Sequence, residues 1–125
     1  MGLSFYMAAG FDTRDLMRER RAQLQAMGHR VTSRWIDETE PIGPASEAAE
    51  HSGNKDLEDI DRAWQFLLFT ESPSTTGGYH VEFGYALAQG KMLVVIGPYT
   101  NIFQRQAMYQ FNTWNDFLKG WGEKL

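Results

Sequence analysis

Apolar and polar positions along the chain fall into alternating blocks. Residues 3–9 form a short, nearly continuous apolar run, the pattern of a buried strand. Gly10-Phe11-Asp12-Thr13 follows, a small residue and then residues able to cap a helix, and Leu16, Met17, Leu24 and Met27 come after it at helical spacing. This predicts a helix over 13–27, closed by Gly28, with Arg14, Arg18, Arg20 and Arg21 on its wet side. Residues 29–36 alternate loosely through Val31, Trp35 and Ile36 and read as a second strand. Periodicity is lost over 37–54, a stretch rich in proline, glycine and acid, which predicts a long mobile loop with a short helix around 46–51. A helix is expected over 55–63, with Leu57, Ile60 and Ala63 on one side, then a third strand over 64–69 and a polar loop over 70–78. From the glycine pair Gly77-Gly78 a short helix runs to Gly90. The run from Met92 to Ile96, bounded by Gly97-Pro98, reads as a fully buried parallel strand. Beyond it the pattern weakens to a turn at 101–103, a helical turn at 105–109 and a short fifth strand at 110–112. A closing helix over 114–121 carries Trp114, Phe117, Leu118 and Trp121 on one face.

Strands alternating with helices give a parallel sheet covered on both faces. The expected architecture is therefore a single α/β domain over 1–125: a doubly wound, flavodoxin- or Rossmann-like sheet of about five strands. Ligands on such a sheet lie beyond the carboxyl ends of the strands, where the strand order reverses, here between the first and third strands. The loops at that point are 9–13 and 70–78, both rich in small and hydroxyl residues.

Composition narrows the chemistry. A length of 125 residues suits one core. The net charge of −4 argues against a protein that binds a nucleic-acid backbone, which needs a basic face. Cysteine is absent, so disulfides and thiolate chemistry are excluded. The three histidines, His29, His51 and His80, are scattered without metal-ligand spacing, and neither a metal nor a cofactor is expected. No apolar stretch is long enough to span a membrane, and the short apolar start lacks the basic flank of a signal peptide, so the expectation is a cytoplasmic protein.

Among the carboxylates, Glu82 stands out, placed early in the short helix among apolar and small neighbours. In a first helical turn the dipole favours the ionised form, which suits attack on an electrophilic carbon. The same placement also serves the helix itself, and spacing alone favours that plainer role; the position at the switch point favours chemistry. Glu71, at the end of the third strand, is the rival carboxylate. The 70–78 loop has the composition of an anion site at a helix start and also that of a plain solvated loop. His80 is a candidate for ligand contact, or a helix-start or interface residue. Trp35 is placed to stack on a base, or to serve the core or an interface. The helix around Glu82 is apolar on several sides, Val81 and Tyr85 on one and Phe83 and Leu87 on another. That predicts burial on both sides and a homodimer or higher even oligomer.

Several segments together resemble the nucleoside 2-deoxyribosyltransferase superfamily, in particular its short bacterial and phage-type members, related to the 2′-deoxynucleoside 5′-monophosphate N-glycosidases. They are Phe5-Tyr6-Met7-Ala8-Ala9-Gly10-Phe11, Thr32-Ser33-Arg34-Trp35-Ile36, Asp56-Leu57-Glu58-Asp59-Ile60, Phe69-Thr70-Glu71, and above all Gly78-Tyr79-His80-Val81-Glu82-Phe83-Gly84-Tyr85-Ala86-Leu87-Ala88-Gln89-Gly90-Lys91. The resemblance implies cleavage or transfer at the N-glycosidic bond of 2′-deoxynucleosides or their 5′-monophosphates, with a small nucleoside or nucleotide as partner. It implies Glu82 as the nucleophile toward the sugar C1′, Asp56 as the acid that orients or protonates the leaving base, and Tyr6 beside the sugar. Ala9, Gly10 and Phe11 would form the turn against the ligand, and Ser74, Gly77 and Gly78 would supply hydroxyl and amide groups to a phosphate. Two stretches depart from the family pattern: Trp64 stands where members often carry Asp, which would either change packing only or remodel the base side, and the tail from Gly120 does not align. A nucleotide-sensing module without turnover is the alternative on the same fold. A flavin or phosphotransfer protein ranks last, because the loop after the first strand lacks a run of hydroxyls.

Overall fold

The computed structural model describes residues 2–121. Five parallel strands form one sheet in the order β2-β1-β3-β4-β5, the doubly wound arrangement expected. They are β1 (Ser4–Ala8), β2 (Arg30–Val31), β3 (Gln65–Phe69), β4 (Met92–Ile96) and β5 (Tyr109–Phe111). Four α-helices cover the sheet: α1 (Arg14–Ala26), α2 (Ala49–Asp61), α3 (Gly78–Ala88) and α4 (Trp114–Gly120). Short 3-10 helices stand at Phe11–Thr13, Arg34–Asp37 and Ile102–Gln106.

Side-chain alternation along β1 sorts the core into two layers. Phe5 meets His29 and Phe117 edge-on, in the layer toward α4. On that face α1 and α4 are joined by Trp114, whose indole N–H donates to Gln23 Oε1 at 2.7 Å. Tyr6 points the opposite way, stacked on Phe66 at 5.5 Å; Phe66 in turn meets Phe83 of α3. Tyr6 and Phe66 are register partners on adjacent parallel strands, which is why their rings share a face. All of these side chains except the polar bridges are essentially dry. Each contributes about 1.5–3 kcal/mol by burial.

Several elements differ from the pattern-based expectation. The second strand spans two residues instead of eight, because side chains take over its pairing. Met7 N–H donates to Ser33 Oγ at 2.6 Å, and the Trp35 indole N–H donates to Met7 O at 2.8 Å. These side chains satisfy the β1 edge, and the chain is freed to turn into the Arg34–Asp37 helix. Helix α2 starts at Ala49, well before residue 55: after Pro44 nothing blocks helical pairing, and turns close from Ser46 N–H to Gly43 O and from Ala49 N–H to Ser46 O. The region after β4 is one 3-10 helix, Ile102–Gln106, capped by the Asn101 side chain, which accepts from the N–H groups of Phe103 and Gln104. Helix α3 buries one side against the sheet within the single chain, which leaves the expected subunit interface on its other side untested. Tyr79, Phe83 and Ala86 face the sheet, while Val81 is 69% exposed and Leu87 is partly exposed.

Candidate active site

The carboxyl ends of β1 and β3 open into a cleft of about 300 Å³. Its floor is the turn Ala9-Gly10-Phe11, and one wall is Ser74, Thr75, Thr76 and the start of α3. The opposite wall is Trp35, Glu38 and the face of α2 bearing Ala49, Ser52, Gly53 and Asp56, with Pro41 and Ile42 at the rim. Gly10 lines the cleft with backbone alone, and an added Cβ there would stand 2.7 Å from Asp12 Oδ1. Gly77, at φ 80°, lets the loop enter α3 from the left-handed region, and its N–H donates to Ser74 Oγ at 2.9 Å.

Glu82 is the fifth residue of α3, one turn in, not in the first turn. Its carboxyl faces the cleft and accepts a hydrogen bond from the Tyr6 hydroxyl at 2.8 Å. Burial pushes the Glu82 carboxyl up to about 8; the nearby Asp56 adds to the rise, and the Tyr6 hydrogen bond works against it. Burial thus works against the expected dipole-favoured carboxylate. A helix end contributes about 0.3–1 kcal/mol to a charge near it, whereas each pH unit of displacement is worth about 1.4 kcal/mol. Desolvation wins. Asp56, two turns into α2, is pushed up to about 7, by burial first, then by Glu38 and Asp59, with Lys55 and Arg34 opposing. Its Oδ1 is buried without a hydrogen-bond partner, a polar group turned toward a ligand-sized space. Tyr6 is held well above the ordinary tyrosine value, by burial first and then by the two carboxyls, so it remains a donor.

The structure brings together Tyr6, Ala9, Gly10, Phe11, Asp56, Ser74, Gly78 and Glu82. It leaves two expected contacts outside the lining. Gly77 shapes the loop from behind. His80 is exposed, within 3.3 Å of Asn101 Nδ2 and edge-on to the Tyr79 ring, pointing away from the cleft. The rival Glu71 is spent on an ion pair: both its oxygens accept from the buried Arg20 guanidinium, which also lies over Phe69 and Trp114. Trp64 sits at the amino end of β3, 71% exposed, opposite the cleft, so its departure from the family pattern does not remodel the base side. Trp35 lines the cleft with its N–H committed to β1. Sequence patterning missed Glu38, Ile42, Ser52 and Tyr79. Only Tyr79 carried a local signal, an aromatic at the helix start; its hydroxyl accepts from Ser74 N–H at 3.2 Å and so holds the loop. Among the described residues no group of three or more His, Cys, Asp or Glu side chains is placed to hold a metal. No helix among them is long and apolar enough to cross a membrane.

Comparison with known proteins extends the geometry to a fold. No protein-family model and no curated protein matches the chain. Solved structures do. A 2-deoxyribosyltransferase of Bacillus psychrosaccharolyticus superposes with a TM-score of 0.70 at 20% identity, over 90% of this chain and 88% of that one. A CMP N-glycosidase of Clostridium botulinum superposes at 0.61 and 19% identity, over 94% and 96%. A Leishmania mexicana deoxyribosyltransferase superposes at 0.69 and 14% identity, over 97% of each. The chain therefore shares its fold with these three structures.

Proposed function

We propose that the protein is an enzyme that cleaves or transfers the N-glycosidic bond of 2′-deoxynucleosides or their 5′-monophosphates. The observation that carries this reading is the meeting of Glu82, Tyr6 and Asp56 at one cleft: a half-buried carboxyl gripped by a phenol, facing a second half-buried carboxyl with an unpaired oxygen. Two carboxyls with raised proton affinity are what glycosidic-bond chemistry needs, one ionised as nucleophile and one protonated as acid. Burial favours the neutral form of both. Positive charge developing at C1′ favours ionised Glu82, and the Tyr6 hydroxyl stabilises the same form.

In the proposed reaction a Glu82 oxygen forms a bond to C1′ as the C–N bond breaks. The bonding pair leaves with the base nitrogen, which takes the proton from Asp56. Water or a second base then attacks C1′ of the ester, Asp56 takes up the proton released, and Glu82 leaves as carboxylate. The wall of Ser74, Thr75, Thr76 and Gly78 at the start of α3 offers hydroxyl and amide donors to the 5′ end of the sugar or its phosphate. Trp35, Phe11 and Ile42 supply apolar surface for a planar base.

Incubation with each 2′-deoxynucleoside and each 5′-monophosphate, with and without a second free base, tests this by chromatography of the products. Base is expected to be released, and Glu82→Gln is expected to lower the rate by at least about a thousandfold. New nucleoside appearing only with the second base would identify transfer; free base and sugar would identify hydrolysis. Binding without release from any substrate would replace the enzyme by a sensing module.

A further inference from the structure

The wall opposite Glu82 carries an ion pair that the proposed reaction does not use. Glu38 follows the Arg34–Asp37 turn and lines the cleft, and Lys55 immediately precedes Asp56 on α2. Lys55 Nζ donates to Glu38 Oε1 at 2.8 Å, and the two side chains are only 20% and 21% exposed. The Glu38 carbonyl also accepts from the Arg14 guanidinium, and the neighbouring Asp37 is gripped by Arg21 at 2.7 and 2.8 Å. The start of the 37–48 segment is thus pinned to α1 on one side and to α2 on the other.

The charged and titratable groups facing Asp56 come from four elements. Glu38 and Arg34 face it from the turn and its end, Lys55 and Asp59 from its own helix, Glu82 from α3 and Tyr6 from β1. Asp59 and Arg34 bind each other at 2.8 Å and largely cancel at a distance. Tyr6 is held well above the ordinary tyrosine value and stays a phenol, and burial favours the neutral form of Glu82. Glu38 and Lys55 remain as the opposed charges beside a carboxyl whose Oδ1 has no partner of its own.

We propose that Glu38 and Lys55 are positioning residues for Asp56, their ion pair fixing the cleft wall and balancing the field so that Asp56 carries the proton given to the leaving base. This rests on the glycosidic-bond reading for its purpose, but its physical content stands in the ligand-free protein. The two residues pull in opposite directions: Glu38 favours the protonated form of Asp56, and Lys55 favours the ionised form. Removing either one leaves its partner unpaired beside Asp56.

The test is a carbon-13 NMR titration of the Asp56 carboxyl, assigned by its loss in Asp56→Asn, in the unliganded full chain. Lys55→Met is expected to move the midpoint up by about one pH unit, and Glu38→Gln to move it down by a similar amount. The double variant is expected to return close to wild type, and Lys55→Arg to stay there. The pH profile of base release should follow in the same directions. Midpoints that stay put, or that move the same way in both single variants, overturn the proposal, because loss of a merely structural contact carries no opposed signs. Opposed shifts in a protein that releases no base from any substrate would support the charge balance and remove the enzyme reading instead.

Discussion

Glu82 is held by one hydrogen bond, and that bond separates its chemistry from its packing. The Tyr6 ring stacks on Phe66, while its hydroxyl serves only Glu82. Tyr6→Phe keeps the ring and removes the donor. A hydrogen bond to a charged group is worth about 1.5–3 kcal/mol, or about 10–100-fold in rate. The expected outcome is that drop in kcat/KM, with the acid limb of the pH profile moved upward because ionised Glu82 has lost its stabiliser. The thermal midpoint should hardly change. A wild-type rate in Tyr6→Phe would sink the role given to the phenol. The residue types of this site were legible in the chain, since Glu82, Asp56 and Tyr6 sit in recognisable motifs. Their protonation was not. Spacing sees a helix start, whereas Glu82 is shifted by its burial in the fold, by Asp56 of α2 and, in the opposite sense, by Tyr6 of β1, which are far away in sequence.

At the scale of elements, the apolar runs of β3 and β4 were legible because each is short, continuous and closed by turn residues. The edge beyond β2 was not, because its pairing is made by side chains. Ser33 and Trp35 do for Met7 what a longer strand would have done, and no periodicity encodes that exchange. The start of α2 was hidden for a related reason: a proline- and acid-rich stretch reads as loop until it is known where the last proline stops acting. Trp35 joins the two scales. It closes the β1 edge with its N–H and lines the cleft with its ring. Trp35→Phe leaves Met7 O, inside the core, without its donor, at a cost of about 1–3 kcal/mol. The expected result is a lower midpoint in urea with an unchanged slope, measured by fluorescence or circular dichroism. A midpoint equal to wild type would mean that water or a shifted backbone replaces the indole.

For the whole molecule, the site carries its own signature in stability. Glu82 and Asp56 are raised in the folded chain, from 4.5 to about 8 and from 3.8 to about 7. Below their unfolded values both states of the chain hold these protons, and the contribution is fully present. Between those values and the folded ones only the folded chain holds them, so stability falls as pH rises, by at most about 1.4 kcal/mol per pH unit for each group. Asp37, lowered by Arg21, acts in the opposite sense: its contribution is present above the ordinary aspartate value and is lost below it. The thermal midpoint is therefore expected to be highest near pH 5 and to fall toward pH 8. Glu82→Gln with Asp56→Asn should flatten that fall and be more stable than wild type at pH 8. Calorimetry from pH 5 to pH 8 checks both. A midpoint that rises over that range would mean that the two carboxyls are ionised in the folded chain and that the cleft is wetter than its packing indicates. The expected fall has a functional meaning. Two desolvated acids that weaken the chain as pH rises are a cost that the proposed chemistry would carry and that a site shaped for packing alone would not.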